Sequence, residues 1–327
     1  MVIRMIHRQH YNIYIASCDE AGGIYHYQMR EDGQMKKIGY VHMDRPMYII
    51  IHNKKMYILL RSPFKTNKES GLVVYDIDDH GRLTNPSEIV STKGEVACHL
   101  AVDGEKVYCV NYISGNIISL PDAVLKVHKG KGTDPKRQES PHTHYVGITP
   151  DNGYICVADL GLDSIFFYDK NLNFVSRAKV PEGHGARHLV FSDDGKTCFC
   201  VNELASTVSA FEYYNGTMEY IVTTRALPED FAGESTASAI RFENGKVYVS
   251  NRGHNSISTL EYKKDGQLTL LKSDACGGDG PRDFDFVGGY IVVTNEKSDS
   301  VAILKKQSME LVGIEKEVIS PVCVAWY

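Results

Sequence analysis

The chain is a succession of short apolar runs, punctuated every few residues by turn formers, and no stretch carries the 3.6-residue apolar period of a strong helix. One pattern recurs. NIYIAS (12–17), KMYILLR (55–61), KVYCVN (106–111), GYICVAD (153–159), KTCFCVN (196–202), KVYVSN (246–251) and GYIVVTN (289–295) each close an apolar strand on a polar residue, and successive ends lie 43 to 50 residues apart. A repeat in the forties made of short strands is the spacing of a propeller blade of four strands.

A partner strand precedes six of the seven copies: PMYIII (46–51), CHLAV (98–102), HYVGIT (144–149), RHLVF (187–191), SAIRF (238–242) and RDFDF (282–286). Turns such as Asp151-Asn152-Gly153, Asp194-Gly195, Asn244-Gly245 and Gly288-Gly289 join the pairs with residues that tolerate positive φ. A third strand follows every copy, from GIYHY (23–27) to SVAILK (300–305). Fourth strands are less regular, with FVSRAKV (174–180) and MEYIVTTRA (218–226) as candidates.

The first copy lacks an inner partner, whereas SPVCVAWY (320–327) at the end of the chain resembles an inner strand without a mate. The expected fold is therefore all-β: a seven-bladed β-propeller of four-stranded antiparallel blades, one domain over 1–327. The C-terminal strand completes blade 1 and so removes two sheet edges at once. Trp326, the only tryptophan, is expected to fill that blade.

Composition narrows the function classes. A formal net charge of -5 leaves no basic face for nucleic acid, and no apolar run nears the roughly 20 residues of a membrane span. The opening MVIRMIHRQH has basic residues but neither an apolar h-region nor a small-residue cleavage site. Of eight cysteines, Cys109, Cys156, Cys198, Cys200 and Cys323 fall inside apolar strands, where a thiol packs as a small hydrophobe. Cys198 and Cys200 have strand spacing, not CxxC spacing. A reducing cytoplasm is the expected location.

Hairpin geometry then gathers the polar residues. In an antiparallel pair, the start of the first strand and the end of the second lie together. One mouth of the central channel should thus receive His99, His142, His144, Arg187, His188 and Arg282, with Arg241 nearby. The second-strand ends add Asn111, Asp159, Asn202, Glu203, Asn251, Arg252, Asn295 and Glu296. The recurring Asn111, Asn202, Asn251 and Asn295 read first as strand-end groups that bond backbone between blades, and Asp159 shares their slot. Asp163, Asn255 and Asp299 precede third strands as turn formers. Two histidines in PHTH beside Arg187, Glu203 and Arg252 of neighbouring blades 5 and 6 form a constellation of another kind, with His142, Asp159, His188, Asn202, Asn251 and Arg282 as candidate ligand-binding groups around it.

At these residues the chain resembles the seven-bladed lactonase family, which includes propeller-type 6-phosphogluconolactonase and the carboxymuconate lactonizing enzyme. The resemblance rests on PHTHYVGITPDNGYICVADLGLDSIFFYD (141–169), GARHLVFSDDGKTCFCVNELASTVSAFEY (185–213), SAIRFENGKVYVSNRGHNSISTLEY (238–262) and GPRDFDFVGGYIVVTNEKSDSVAIL (280–304), with NYISGNIISLP (111–121) extending it to blade 3. It implies a catalytic group of His144, Arg187, Glu203 and Arg252. The implied activity is hydrolysis of a sugar-acid lactone such as 6-phosphogluconolactone, within carbohydrate metabolism and the pentose phosphate pathway. A muconate-type lactonizing enzyme, running lactone chemistry in reverse, and a non-catalytic ligand- or protein-binding propeller are the alternatives.

Lactone hydrolysis needs a base for water, and either Glu203 or His144 has that chemistry. Arg187 and Arg252 suit the oxyanion or a substrate carboxylate or phosphate, and Arg282 and Lys297 could add to a phosphate site. No GxSxG elbow supplies a nucleophilic serine. No cofactor is expected, and a mostly cationic rim is a poor calcium site. The expected partner is a small lactone, acidic or phosphorylated, with no nucleic acid or membrane. Blades 1 and 2 depart from the family: IASCDEAGGIYHY replaces a Gly-Thr-Tyr-Thr-like start, and LLRSPF stands where an Asn-Glu pair is common, followed by the insert KTNKES. Substrate entry should differ there.

Overall fold

The computed structural model describes residues 10–263 and 266–327; the opening nine residues, part of the stretch read above for a leader, lie outside the described residues. Seven antiparallel sheets stand in a ring. Their inner strands are Pro321–Trp326 (blade 1), Pro46–His52 (2), Ala97–Asp103 (3), Thr143–Ile148 (4), Ala186–Phe191 (5), Thr236–Glu243 (6) and Pro281–Val287 (7), and each packs against the next, the last returning to the first. Among the described residues no helix is long and apolar enough to cross a membrane.

Blade 1 joins the two ends of the chain. Pro321–Trp326 runs antiparallel to Tyr11–Ser17, with Val324 opposite Ile15, and Asn12 and Tyr327 exchange two backbone hydrogen bonds at 3.0 and 3.1 Å. Trp326 packs on the core layer at blade 1, as expected, and also reaches across it. Its Nε1 donates to Asp285 of blade 7 at 3.2 Å and its ring meets Tyr11 edge-on at 5.7 Å, so it seals the seam between first and last blades.

The core is seven apolar layers, one between each pair of neighbouring blades. Cys156 and Phe167 of blade 4 pack on Cys198 and Phe211 of blade 5, for example, and Val292 and Val301 of blade 7 pack on Ile13 and Ile15 of blade 1. Successive side chains of a strand point to opposite faces, and both faces of a blade meet a neighbour. Strands such as Ile155–Asp159 are therefore a continuous apolar run up to the closing Asp159 rather than alternating. Outer strands such as Met35–His42 are half exposed, so their pattern is weak in the sequence. In blade 2 the third strand, Glu69–Ile77, pairs with both the outer strand Val90–Glu95 and a two-residue strand, Leu83–Thr84.

The turn formers behave as such. Asp163, Asn255 and Asp299 adopt left-handed φ of 49, 56 and 48°, and Gly115 (56°) and Ser206 (49°) occupy the corresponding turns of blades 3 and 5.

Candidate active site

Inner and second strands pair in regular register except at one place near the mouth of each blade. There one inner-strand residue has no opposite number: Val322, Met47, Cys98, His144, Arg187 and Arg282 in blades 1 to 5 and 7. In blade 6, Ser238 and Ala239 share the single residue Ser250. Two residues against one make a β-bulge, which re-aims a side chain. Six of these bulged residues line one small cavity on the channel axis. Blades 1 to 3 present Val, Met and Cys; blades 4 to 7 present His, Arg, Ser and Arg. The bulge thus decides which half of the ring is polar.

A second tier stands above it, built from the residues that follow Leu60, Asn111, Asn202 and Asn251 on the second strands. Arg61, Tyr112, Glu203 and Arg252 hold this position and, with bulged Met47, Cys98, His144 and Arg282, line a cavity of about 320 Å³. Glu203 is its anionic centre and is only 4% exposed. Arg187 Nε donates to Glu203 Oε2 at 2.8 Å, Arg252 Nη2 lies 3.2 Å from the same oxygen, and Arg137 Nη2 donates to Oε1 at 2.6 Å. Burial pushes the Glu203 carboxyl up, but the Arg252, Arg187 and Arg137 guanidinium groups outweigh it and hold it well below the usual carboxylate range. It is ionised at any working pH.

Arg187 is fixed on all sides. Its Nη1 donates to the Ser238 carbonyl at 3.0 Å and to His188 Nε2 at 3.2 Å. Burial and the adjacent Arg252 pull it down to about 10, which leaves it a cation at neutral pH. Arg282 is paired with Glu296 at 3.0 Å.

His144 is the neutral member. Burial, then the field of Arg187, lowers it well below the usual histidine range. Its Nδ1 is buried with no hydrogen-bond partner among the described residues, and its ring borders both cavities. Cys98, beside it, is pushed up to about 12 by burial and so is no thiolate.

Beneath, the channel is filled. The His188 ring lies 5.2 Å from that of His144 and 5.0 Å from His99, and Tyr48 and Tyr145 close on His99 at 4.2 and 4.5 Å. Arg241 locks the seam between blades 6 and 7 through Asp283 at 2.9 Å and Asp285 at 3.3 Å. Access to the chemical groups is therefore from the mouth alone.

The structure sorts the remaining candidates. His142 does not line the cavity: it lies under Tyr112, ring to ring at 4.5 Å, with Nδ1 donating to the Tyr112 carbonyl at 3.0 Å. Asp159 is spent on His128 Nδ1 at 2.5 Å and on the His142 backbone N–H at 2.8 Å. Asn202 and Asn251 are fully buried; Asn202 donates to Thr207 and Ser209, and Asn251 to Ser258 and the Ala226 carbonyl. These four support the walls rather than face a ligand. His188 lines only the lower cavity. Lys297 is exposed and borders neither.

Arg137 was outside the sequence-based candidates. It comes from the loop 128–142 between the outer strand of blade 3, Val124–Val127, and the inner strand of blade 4. Gln138 pins that loop: its Oε1 accepts from the Thr133 and Asp134 N–H groups at 3.1 and 3.0 Å, and its Nε2 donates to the Leu160 carbonyl and Asp163 at 2.8 Å each. The one signal available in sequence was length, since a loop of this size without strands usually carries function.

Comparison with known proteins places this geometry. The family described as lactonase, 7-bladed beta-propeller, matches residues 12–326. An uncharacterized protein of Staphylococcus aureus is 31% identical and aligns over 91% of this chain and 93% of its own. Among solved structures, a Lactobacillus plantarum protein superposes with a TM-score of 0.87 at 28% identity, covering 98% of this chain and 100% of that one. A Bacteroides fragilis protein provisionally assigned as a 6-phosphogluconolactonase gives 0.85 at 25%, over 97% and 98%. The Pseudomonas aeruginosa periplasmic gluconolactonase shares the fold, at 0.86 and 24%, over 97% and 99%.

Proposed function

Since the chain belongs to the lactonase family of seven-bladed β-propellers, we propose that the mouth cavity hydrolyses a small anionic sugar lactone of the 6-phosphogluconolactone type. One observation carries this reading: a single carboxylate, Glu203, is clamped by three guanidinium groups beside a neutral imidazole with an unpartnered nitrogen. Five arginines face two carboxylates in and around the cavity, a balance that suits an anionic ligand.

Between the two candidate bases, the environment favours His144. Both Glu203 oxygens are taken by guanidinium groups, whereas the neutral His144 ring borders the cavity with its Nδ1 unpartnered among the described residues. His144 takes a proton from water as its oxygen attacks the ring carbonyl. Arg187 and Arg252 stabilise the oxyanion, kept in place by Glu203. The adduct collapses, the ring C–O bond breaks, and the imidazolium returns the proton to the leaving alkoxide. The acid product then ionises to solvent and leaves as a carboxylate.

Eight free cysteines, seven of them buried, support a reducing cytoplasm as the site of action. The reading is tested with a panel of phosphorylated and plain sugar lactones, with hydrolysis followed by acid release against the spontaneous rate. Enzymatic turnover that falls about 100-fold or more in His144→Gln with the fold retained is the expected result. Wild-type rates in both His144→Gln and Arg252→Gln would overturn the site.

A further inference from the structure

Every arginine of the cavity has a carboxylate except one. Arg187, Arg137 and Arg252 share Glu203, and Arg282 has Glu296. Arg61, on blade 2, forms no ion pair among the described residues, yet it borders the mouth cavity and also an adjoining hollow of about 370 Å³. In that hollow Arg45 is paired with Glu20 and Asp44. Among the described residues Arg61 is therefore the one arginine of the mouth cavity without an ion pair, although Asp19 and Glu20 line the adjoining hollow with it.

Its position is opposite the chemistry. Glu203 and Arg252 stand on blades 5 and 6, three or four blades round the ring from blade 2, so the cavity has two poles. At the first, one carboxylate orders three guanidinium groups beside His144. At the second, Arg61 and Arg282 flank the uncharged Cys18 of blade 1, whose Sγ lies 3.0 Å from Met47 Sδ. The Arg61 backbone is held at both ends: its N–H donates to the Arg45 carbonyl at 3.0 Å and its carbonyl accepts from Ser70 Oγ at 2.7 Å. A long, exposed side chain thus projects from a fixed base. Blade 2 is also where the chain has LLRSPF in place of the Asn-Glu pair common in the family.

The geometry assigns Arg61 to the substrate's terminal oxyanion, a phosphate or carboxylate carried at the end of the lactone away from its carbonyl. This assignment rests on the lactonase reading for the orientation of the substrate. A ring whose carbonyl meets Arg187 and His144 directs its far substituent across the cavity toward blade 2. The planar guanidinium fork matches two oxygens of such a group, and among the described residues Arg61 is the one arginine of the cavity whose fork no carboxylate shares. Arg61 is a specificity residue here, not one that touches the reacting atoms.

The test compares wild type, Arg61→Ala and Arg61→Lys on three lactones: 6-phosphogluconolactone, unphosphorylated gluconolactone and a lactone bearing a terminal carboxylate. Arg61→Ala is expected to raise KM for the phosphorylated lactone about 10- to 100-fold with kcat retained, and to leave the plain lactone within about 2-fold. Arg61→Lys, which keeps charge but loses the fork, should fall between. A parallel loss with the carboxylate lactone identifies a general oxyanion site; a loss confined to the phosphorylated one identifies phosphate. Equal effects on charged and plain lactones, or none on either, overturn the assignment. Calorimetric binding of 6-phosphogluconate against gluconate supplies a readout free of turnover. If wild type hydrolyses no lactone but binds 6-phosphogluconate in an Arg61-dependent way, the catalytic reading falls and the anion site stands. If hydrolysis proceeds and wild type binds both acids equally, the anion site falls alone.

Discussion

Arg187 Nε and Glu203 Oε2 meet at 2.8 Å across the inner hairpin of blade 5, and both side chains are almost out of contact with solvent. The bulge that frees Arg187 from the strand ladder is what brings it beside the residue following Asn202. Removing one member of such a buried pair leaves an uncompensated charge, which typically costs about 3–5 kcal/mol. For Glu203→Gln the loss is compounded, because three guanidinium groups lose their shared anion. We expect it to lower the urea midpoint far more than Arg137→Gln, whose side chain is 40% exposed and whose pair is worth at most about 1 kcal/mol. Added sulfate should raise the melting temperature of Glu203→Gln more than that of wild type, since an anion can take the vacated place.

Stability should fall as the medium is made acidic, through the channel histidines. Burial lowers His99 to about 3 and lowers His144 and His188 well below the usual histidine range. The folded protein therefore keeps them neutral while the unfolded chain takes up protons below about pH 6.5. Unfolding free energy should drop from that point downward, by about 1.4 kcal/mol per pH unit for each histidine fully protonated only when unfolded. Glu203 adds no slope until about pH 4.3, where the unfolded chain's glutamate begins to take up a proton that the folded one refuses, and below that it adds to the loss. Denaturant titrations at several pH values check this, and His99→Gln should reduce the slope by about one proton's worth.

Activity should be less sensitive to acid than stability. With His144 lowered far below the usual range, its imidazole remains a base where an ordinary histidine would be half protonated. After subtraction of spontaneous hydrolysis, kcat/KM should show no bend near 6.5 as the pH is lowered. A bend near 6.5 would mark an ordinary histidine as the base and overturn the assignment to His144.

Gln138→Ala should loosen the 128–142 loop without harming the blades. The substitution removes four hydrogen bonds that hold the segment from which Arg137 reaches Glu203. Tryptic cleavage after Lys131 and Lys136, both exposed, should accelerate at least several-fold while the melting temperature changes little. KM should rise more than kcat falls.

Much of this architecture was legible because strands buried on both faces are nearly continuous apolar runs. ICVAD and CFCVN could be found and counted for that reason, and ring closure followed from a first repeat lacking an inner strand and a last strand lacking a mate. Hairpin geometry brought His144, Arg187, Glu203, Arg252 and Arg282 to one mouth, since strand starts and ends can be read in sequence. It did not separate side chains that face the channel from those turned into the wall. Asp159 and Asn202 hold the same strand-end slot and differ from Glu203 by one position, but one position changes the face. Arg137 was hidden for a different reason: its loop has no period, and the Gln138 contacts that aim it come from residues 22 and 25 positions away.

The recurrent bulge separates two problems that most sheet proteins must solve together. A residue paired across a ladder is constrained by its opposite number and by the packing layer behind it. A bulged residue has no opposite number in the ladder, so each blade offers one socket at the mouth, with Val322 and Cys98 also packed in the layers behind them. Read round the ring, the present occupants spell Val, Met, Cys, His, Arg, Ser, Arg. The first three are unused letters: an acid, base or hydrogen-bond donor written at Val322, Met47 or Cys98 would enter the same cavity. The scaffold therefore allows its chemistry to be rewritten one blade at a time, and Met47, which belongs to none of the seven apolar layers, is the socket where that disturbs the core least.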